Sequence, residues 1–399
     1  MIDIDLLSSA VTINPFPTYQ FLREQAPICQ LQPGGLWAIT RFEDVQFALR
    51  RADVFSSTGF VEAAYRPLWL AERAHKHLFI LEEDPPLHTQ HRSLINKAFV
   101  HRVIEAAQPL IQSTARAQVE ILRGQSTPDF VRDFGYPFIG TVIGRLIGIA
   151  DYLNLEEMQA VLRLMKNMTS IAPPTVEIPE LEAQIVRYFN VIERVIADRI
   201  VEPKQDLVTA LLGAGSDGEQ LGAARTRDVI DLTLTAGLDT TIGLLCNAML
   251  SLSRLPELFA QLKAHPELIP AFVEEQLRFD AAPHRLMRRT TADIALRGIT
   301  IPAGASVLVM LASANRDAEQ FPNPDRFELA RPNIREHVAF GYGPHVCIGA
   351  ALARREVKTA IEEIVRVANG VRCPPAEELI WEPSWITHSP DTQLPIELL

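Results

Sequence analysis

Cysteine is scarce in this chain of 399 residues, which has only Cys29, Cys246, Cys347 and Cys373. No two of them have the spacing of a metal finger or a redox pair, so neither is expected. So few thiols in so long a chain point to a reducing compartment. Basic residues are outnumbered, 38 against 49 acidic ones, for a formal charge of −11. That balance argues against nucleic acid or an anionic membrane as partner, since both demand basic surface. The first ten residues carry Asp3 and Asp5 and no basic run, unlike a secretory signal. No long apolar run is free of charge. The best membrane candidate, residues 229–252, contains Asp231, Asp239 and several threonines, and reads better as a buried core helix. A cytoplasmic protein is expected. No repeat, low-complexity tract or long linker divides the chain, so a single domain over 1–399 is expected.

What the chain does have is helical periodicity. Apolar residues make up 47% and charged residues 22%, ordinary values for a globular protein. Apolar spacing predicts a long helix over 228–252 and two more over 255–278, parted near His265-Pro266. Another covers 349–368, with Leu352, Val357, Ile361 and Val365 on one face and charges on the other. Strand signals are few: 36–40, 294–296, 300–301 and 307–309, with Ile301-Pro302-Ala303-Gly304 as a turn. The fold class is mainly α, with a small β-rich region assembled from distant segments.

The strongest chemical signal is Phe340-Gly341-Tyr342-Gly343-Pro344-His345-Val346-Cys347-Ile348-Gly349, opening a helix. Two glycines ahead of the cysteine permit a loop pressed against something flat. Cys347 at a helix start meets backbone N–H groups and the positive end of the macrodipole, which favour a thiolate able to ligate a metal. N–H bonds to the sulfur would tune its electron donation. This pattern resembles the haem-binding loop of the cytochromes P450. The resemblance implies a P450-like fold with haem b as cofactor and Cys347 as axial ligand of the iron. It places Phe340, Gly341 and Gly349 around the cofactor and sends His345 to a haem propionate.

Three further segments follow in the order of that family. Ala236-Gly237-Leu238-Asp239-Thr240-Thr241 puts a glycine and an acid inside an apolar helix, at a cost of about 1 kcal/mol for the glycine alone. Such violations are expected at functional sites. The stretch resembles the P450 helix over the haem. By that resemblance Ala236 and Gly237 border the cofactor, Gly237 giving O₂ room, while Asp239 and Thr240 handle protons. Glu275 and Arg278, at i,i+3, share a helical face. They resemble the buried P450 ion pair, whose third partner here is either Arg326 or His337. His88 and Arg92, at i,i+4 after Asp84-Pro85-Pro86, form a one-sided cationic pair. They resemble the segment gripping the propionates, with Arg288 as a further propionate ligand and Arg289 beside it.

The resemblance implies a monooxygenase that takes O₂ and electrons from a separate ferredoxin or flavodoxin with its reductase, since no flavin or iron–sulfur region is attached. A peroxide-driven peroxygenase and a haem-based sensor are the alternatives. It also implies a pocket for a hydrophobic small molecule, which draws on Phe60, Trp69, Phe79, Leu232, Thr235, Leu286, Met287, Trp385 and Ile386. Each of these could equally be core. Tyr65 and residues 171–178 belong to the same regions, and Arg66, His75, Lys76, Arg285 and Arg289 are cations near them. Arg92, Lys97, Arg102, Arg354 and Lys358 are the candidate docking cations for the electron donor. A monomer is expected.

Overall fold

The computed structural model describes residues 1–58, 79–99, 105–154, 156–157, 160, 178–216, 219–390 and 392–399. Phe60, Tyr65, Arg66, Trp69, His75, Lys76, Arg102 and positions 171–177 lie outside them. The helices, in chain order, are α1 (Ser9–Ile13), α2 (Phe16–Gln25), α3 (Phe42–Arg50), α4 (Leu87–Ala98), α5 (Gln108–Gly124), α6 (Tyr136–Ile147), α7 (Ile178–Val201), α8 (Leu207–Leu212), α9 (Gly222–Arg254), α10 (Pro256–Ala264), α11 (Ile269–Asp280), α12 (Leu311–Ala314) and α13 (Ala350–Val367). The strands are β1 (Ile2–Asp3), β2 (Ile28–Gln32), β3 (Trp37–Ile39), β4 (Phe55–Ser56), β5 (Gly215–Ser216), β6 (Glu219–Gln220), β7 (Leu286–Thr290), β8 (Ile294–Leu296), β9 (Ile299–Ile301), β10 (Ser306–Val309), β11 (Val371–Arg372) and β12 (Glu397–Leu398). The fold is mainly helical with small sheets, as the periodicity predicts.

The largest sheet runs β1-β2-β3-β10-β7-β4. Its centre is the parallel pairing of β3 with β10, which sets Trp37 opposite Val307 and Ile39 opposite Val309. Period-2 alternation lets β10 serve two cores. Val307 and Val309 join Ile39, Val45 and Phe55 on one face. Leu308 joins Tyr19, Leu22 and Leu31 on the other. The strand β7 had no alternating signal, because Arg288 and Arg289 interrupt it, yet it pairs with both β10 and β4.

The helical body surrounds α9. This helix is long and apolar enough to cross a membrane by composition. Its residues Ile242–Leu252 are instead buried inside the protein, packed with α6, α11 and α13. Thr233, Thr235 and Thr240 each turn their hydroxyls back to the carbonyl four residues earlier, at 2.7, 2.8 and 2.7 Å. That satisfies three hydroxyls within the helix itself.

Glu356 on α13 is 1% exposed, and its Oε1 is enclosed with no partner. Burial pushes this carboxyl up to about 8, whereas an unfolded glutamate titrates near 4.3. The folded chain therefore keeps a proton that the unfolded chain releases. Stability is fully present below the unfolded value and declines as pH rises towards 8, by on the order of 3 kcal/mol at pH 7. Glu356→Gln should remove this dependence. Calorimetry should find the variant melting with the wild type at pH 4 and above it at pH 8; a gap that narrowed with pH would reverse the assignment.

Candidate active site

The cysteine loop is built by α3 behind it and α13 after it. A 3₁₀ turn over Gly343–His345 leads into Cys347, whose N–H donates to the Phe340 carbonyl at 2.9 Å. Gly341 and Gly343 both have φ of +73°, where a side chain is strained. Gly343 is required twice over. A Cβ there would stand 2.6 Å from the Leu49 carbonyl oxygen at the end of α3. The Cys347 thiol remains accessible. Burial leaves its pKa above the ordinary thiol value, partly offset by the Gly349 and Ala350 N–H groups and the charges of Arg92 and Arg354. An N-terminal helix turn aimed at sulfur is the arrangement that stabilises a metal-bound thiolate.

Around this loop stand donors without acids. His88 on α4 is 2% exposed, and neither ring nitrogen has a partner. Its ring lies 4.0 Å from that of His345, whose Nε2 meets Ser57 Oγ at 3.1 Å. Burial and the charges of His88 and Arg288 hold His345 down to about 3. Arg288 is buried, bonded among the described residues to the Met287 carbonyl at 2.7 Å, and lowered to about 10 by burial. Asp84, the acid it senses, is engaged by the Ser56 hydroxyl and the Ser57 N–H. Arg92 reaches the Val346 carbonyl at 2.7 Å and Asn96 at 3.1 Å. Buried donors left unpaired are costly, and a dianionic group beside the thiol would satisfy them. The residues present therefore fit a haem, whose iron Cys347 would ligate and whose propionates His88, Arg288 and His345 would hold.

On α9, Ala236 is exposed although much of the helix is buried, and Asp239 and Thr240 are half-buried beside it. The Thr240 hydroxyl donates to the Ala236 carbonyl, so its oxygen keeps its lone pairs for an incoming donor. Gly237 also meets a neighbouring helix. A Cβ there would point at α6 and come within 2.8 Å of Ile143 Cδ1. A larger residue there would make the tip of Ile143 shift.

The Glu275–Arg278 pair is fully buried, with bidentate contacts of 2.8 Å. Its third partner is neither expected residue. Arg331 supplies it, with Nε 3.2 Å from both Glu275 oxygens and its side chain 1% exposed. Arg326 contributes its backbone carbonyl, which accepts from Arg278 and Arg331 at 3.1 and 3.0 Å. His337 turns to Glu274 at 3.1 Å, where Arg354 also binds at 2.6 Å. Burial would raise the Glu274 carboxyl, but these two bonds outweigh it and hold it near 2. Nothing in the sequence distinguished Arg331 from its neighbours, because the loop that folds it back carries no periodicity.

A second polar cluster went unread. Asp280, His284 and His388 lie together, tied to Asn247 on α9, Tyr19 on α2 and the Thr12 carbonyl. Burial would raise Asp280, but the hydrogen bond from His284 and the nearby His388 drop it well below the carboxylate range. The rings of His284 and His388 stack at 4.5 Å with 26° between planes, and Trp381 stacks on His388 at 4.6 Å. Stacked rings do not direct their in-plane lone pairs to one point, so the cluster is a staple joining both ends of the chain to the core.

Of the pocket candidates, Leu232, Thr235, Leu286, Trp385 and Ile386 are half-buried. Met287 is 1% exposed in the core with Tyr19 and Leu308. Phe79 is 5% exposed, between Arg225 at 4.6 Å and the His91 ring at 4.8 Å. These last two are packing residues. Among the docking cations, Arg354 and Lys358 are taken by Glu274 and Glu362. Arg92 and Lys97 line an open groove of 570 Å³ along α4 that ends at Pro344.

Residues 33–369 match the family model for cytochrome P450. The chain is 33% identical over 367 residues to putative cytochrome P450 YjiB of Bacillus subtilis, covering 90% of this chain and 89% of that one. It is 30% identical over 397 residues to the cytochrome P450 monooxygenase PikC of Streptomyces venezuelae, covering 96% and 91%. Among solved structures it resembles cytochrome P450 CYP109Q5 from Chondromyces apiculatus, with a TM-score of 0.90, 33% identity and coverage of 99% and 98%.

Proposed function

Because this chain belongs to the cytochrome P450 family, with haem as its cofactor, we propose that it hydroxylates or epoxidises a hydrophobic small molecule. When bound, the haem would supply activation of dioxygen, in which two electrons and two protons put one oxygen atom into the substrate and release the other as water. The residues of the chain do the rest. Cys347 donates electron density from the helix start, and its N–H neighbours limit that donation. His88, Arg288 and His345 neutralise and orient the propionates. Thr240 would hold a proton donor at the half-buried face of α9, and Asp239 would relay protons towards it. One observation supports the substrate reading: Leu232, Leu286, Trp385 and Ile386 are apolar side chains that the core leaves only half-buried, the ordinary character of small-molecule pocket linings. Electrons come from a ferredoxin or flavodoxin seated over the α4 groove, where Arg92 and Lys97 meet its acidic face.

The test is turnover with a reduced ferredoxin against a library of apolar scaffolds, following the iron spin-state shift on binding and oxidised product. Shifts from small, highly polar compounds alone would sink the apolar reading, and turnover with peroxide alone would make the enzyme a peroxygenase. Thr240→Ala should bind substrate normally but release most of its reducing equivalents as peroxide, with product per reductant down about 10-fold or more. Asp239→Asn should slow turnover about 10²-fold without that leak. Unchanged coupling and rate in both would remove these residues from the proton path.

A further inference from the structure

Arg285 carries a charge that its surroundings do not take up. It is 3% exposed, and its Nε and Nη1 are enclosed without a hydrogen-bond partner. Among the described residues it makes no ion pair. Every other buried arginine among them has an acceptor: Arg23 has Ser313, Arg199 has Asp206, Arg278 and Arg331 share Glu275, Arg288 has the Met287 carbonyl, and Arg316 has Asp325. The guanidinium stands 5.9 Å from the centre of the Tyr19 ring. Tyr19 senses both Arg285 and Asp280, but Asp280 is already committed to His284 and Asn247. A buried cation in this condition is completed by water or by an anion from elsewhere.

The place of Arg285 says what kind of anion. The backbone N–H groups of His284 and Arg285 both donate to the Ile386 carbonyl, at 2.8 and 3.2 Å, and Pro283 bridges to Thr387. Arg285 therefore sits at the seam of the two segments that carry Leu286, Trp385 and Ile386, all partly buried against the cluster that holds Tyr19. A planar guanidinium with unpaired edges matches a carboxylate bidentately.

We propose that Arg285 anchors the carboxylate of an amphipathic substrate whose apolar body lies along Leu286, Trp385 and Ile386. This rests on the apolar-pocket reading above and adds the polar end of the molecule. Straight-chain acids of ten to sixteen carbons and their methyl esters, titrated in pairs into the haem-loaded enzyme, are the probes. Spin-state change and calorimetry give the affinities. The acid should bind at least about 10-fold more tightly than its ester, the value of one charge-assisted contact. Arg285→Leu should weaken the acid by about 10- to 100-fold and leave the ester unchanged or tighter, while Arg285→Lys keeps part of the preference. The thiolate band of the reduced carbon monoxide complex checks that each variant is folded. Should the leucine variant not fold, the acid-to-ester ratio of the unaltered enzyme and of Arg285→Lys decides. Esters that bind as well as acids would overturn the anchor and leave the apolar pocket standing. Silence from both probes would overturn the pocket and the anchor together.

Discussion

Cys347→Ser should abolish the strongly red-shifted Soret band of the reduced carbon monoxide complex and lower turnover by more than about 100-fold, while the protein still folds. Outer-shell partners of a metal ligand already cost 10- to 100-fold when removed, so loss of the ligand itself exceeds that. The other thiols cannot substitute. Cys246 is fully buried on α9. Burial pushes Cys29 up to about 11 and Cys373 up to about 12, so both stay protonated and unreactive. Replacing those three together should leave spectrum and turnover as they were. A red-shifted band surviving in Cys347→Ser would dismiss the whole assignment of roles.

The second large effect is on the fold beneath that loop. Arg331→Ala should destabilise the protein by about 3–5 kcal/mol, because it leaves Glu275 buried with half its compensation gone. The yield of haem-loaded protein should fall with it. Glu275→Gln should do at least as much, since it strips two arginines at once. Arg326→Ala should stay within about 0.5 kcal/mol, because that residue is exposed and lends only its carbonyl. Denaturant midpoints for the three variants check this, and a cost at Arg326 equal to that at Arg331 would contradict the geometry.

Local chemistry reads well from residue order. The periodicity at 228–252 and 349–368 marks the interiors of α9 and α13, because a 3.6-residue repeat survives whatever packs against it. The loop around Cys347 was legible because Gly341 and Gly343 are backbone demands written directly as residue types. Gly237 shows the limit. It reads as an oddity in a helix, but the residue it packs against, Ile143, lies nearly a hundred positions away on α6.

By itself the sequence determined the helical class, the cysteine at a helix start, the acid–alcohol pair on α9 and the Glu275–Arg278 spacing, all of which depend on neighbours a few residues apart. Only the tertiary structure decided that Arg331 completes the ion cluster, that Met287 and Phe79 are core, that β3 pairs in parallel with β10, and that Arg285 is buried without an acid. Those facts are set by contacts between segments tens to hundreds of residues apart. Such contacts are chosen by burial and hydrogen-bond satisfaction over the whole fold, and no local pattern encodes them.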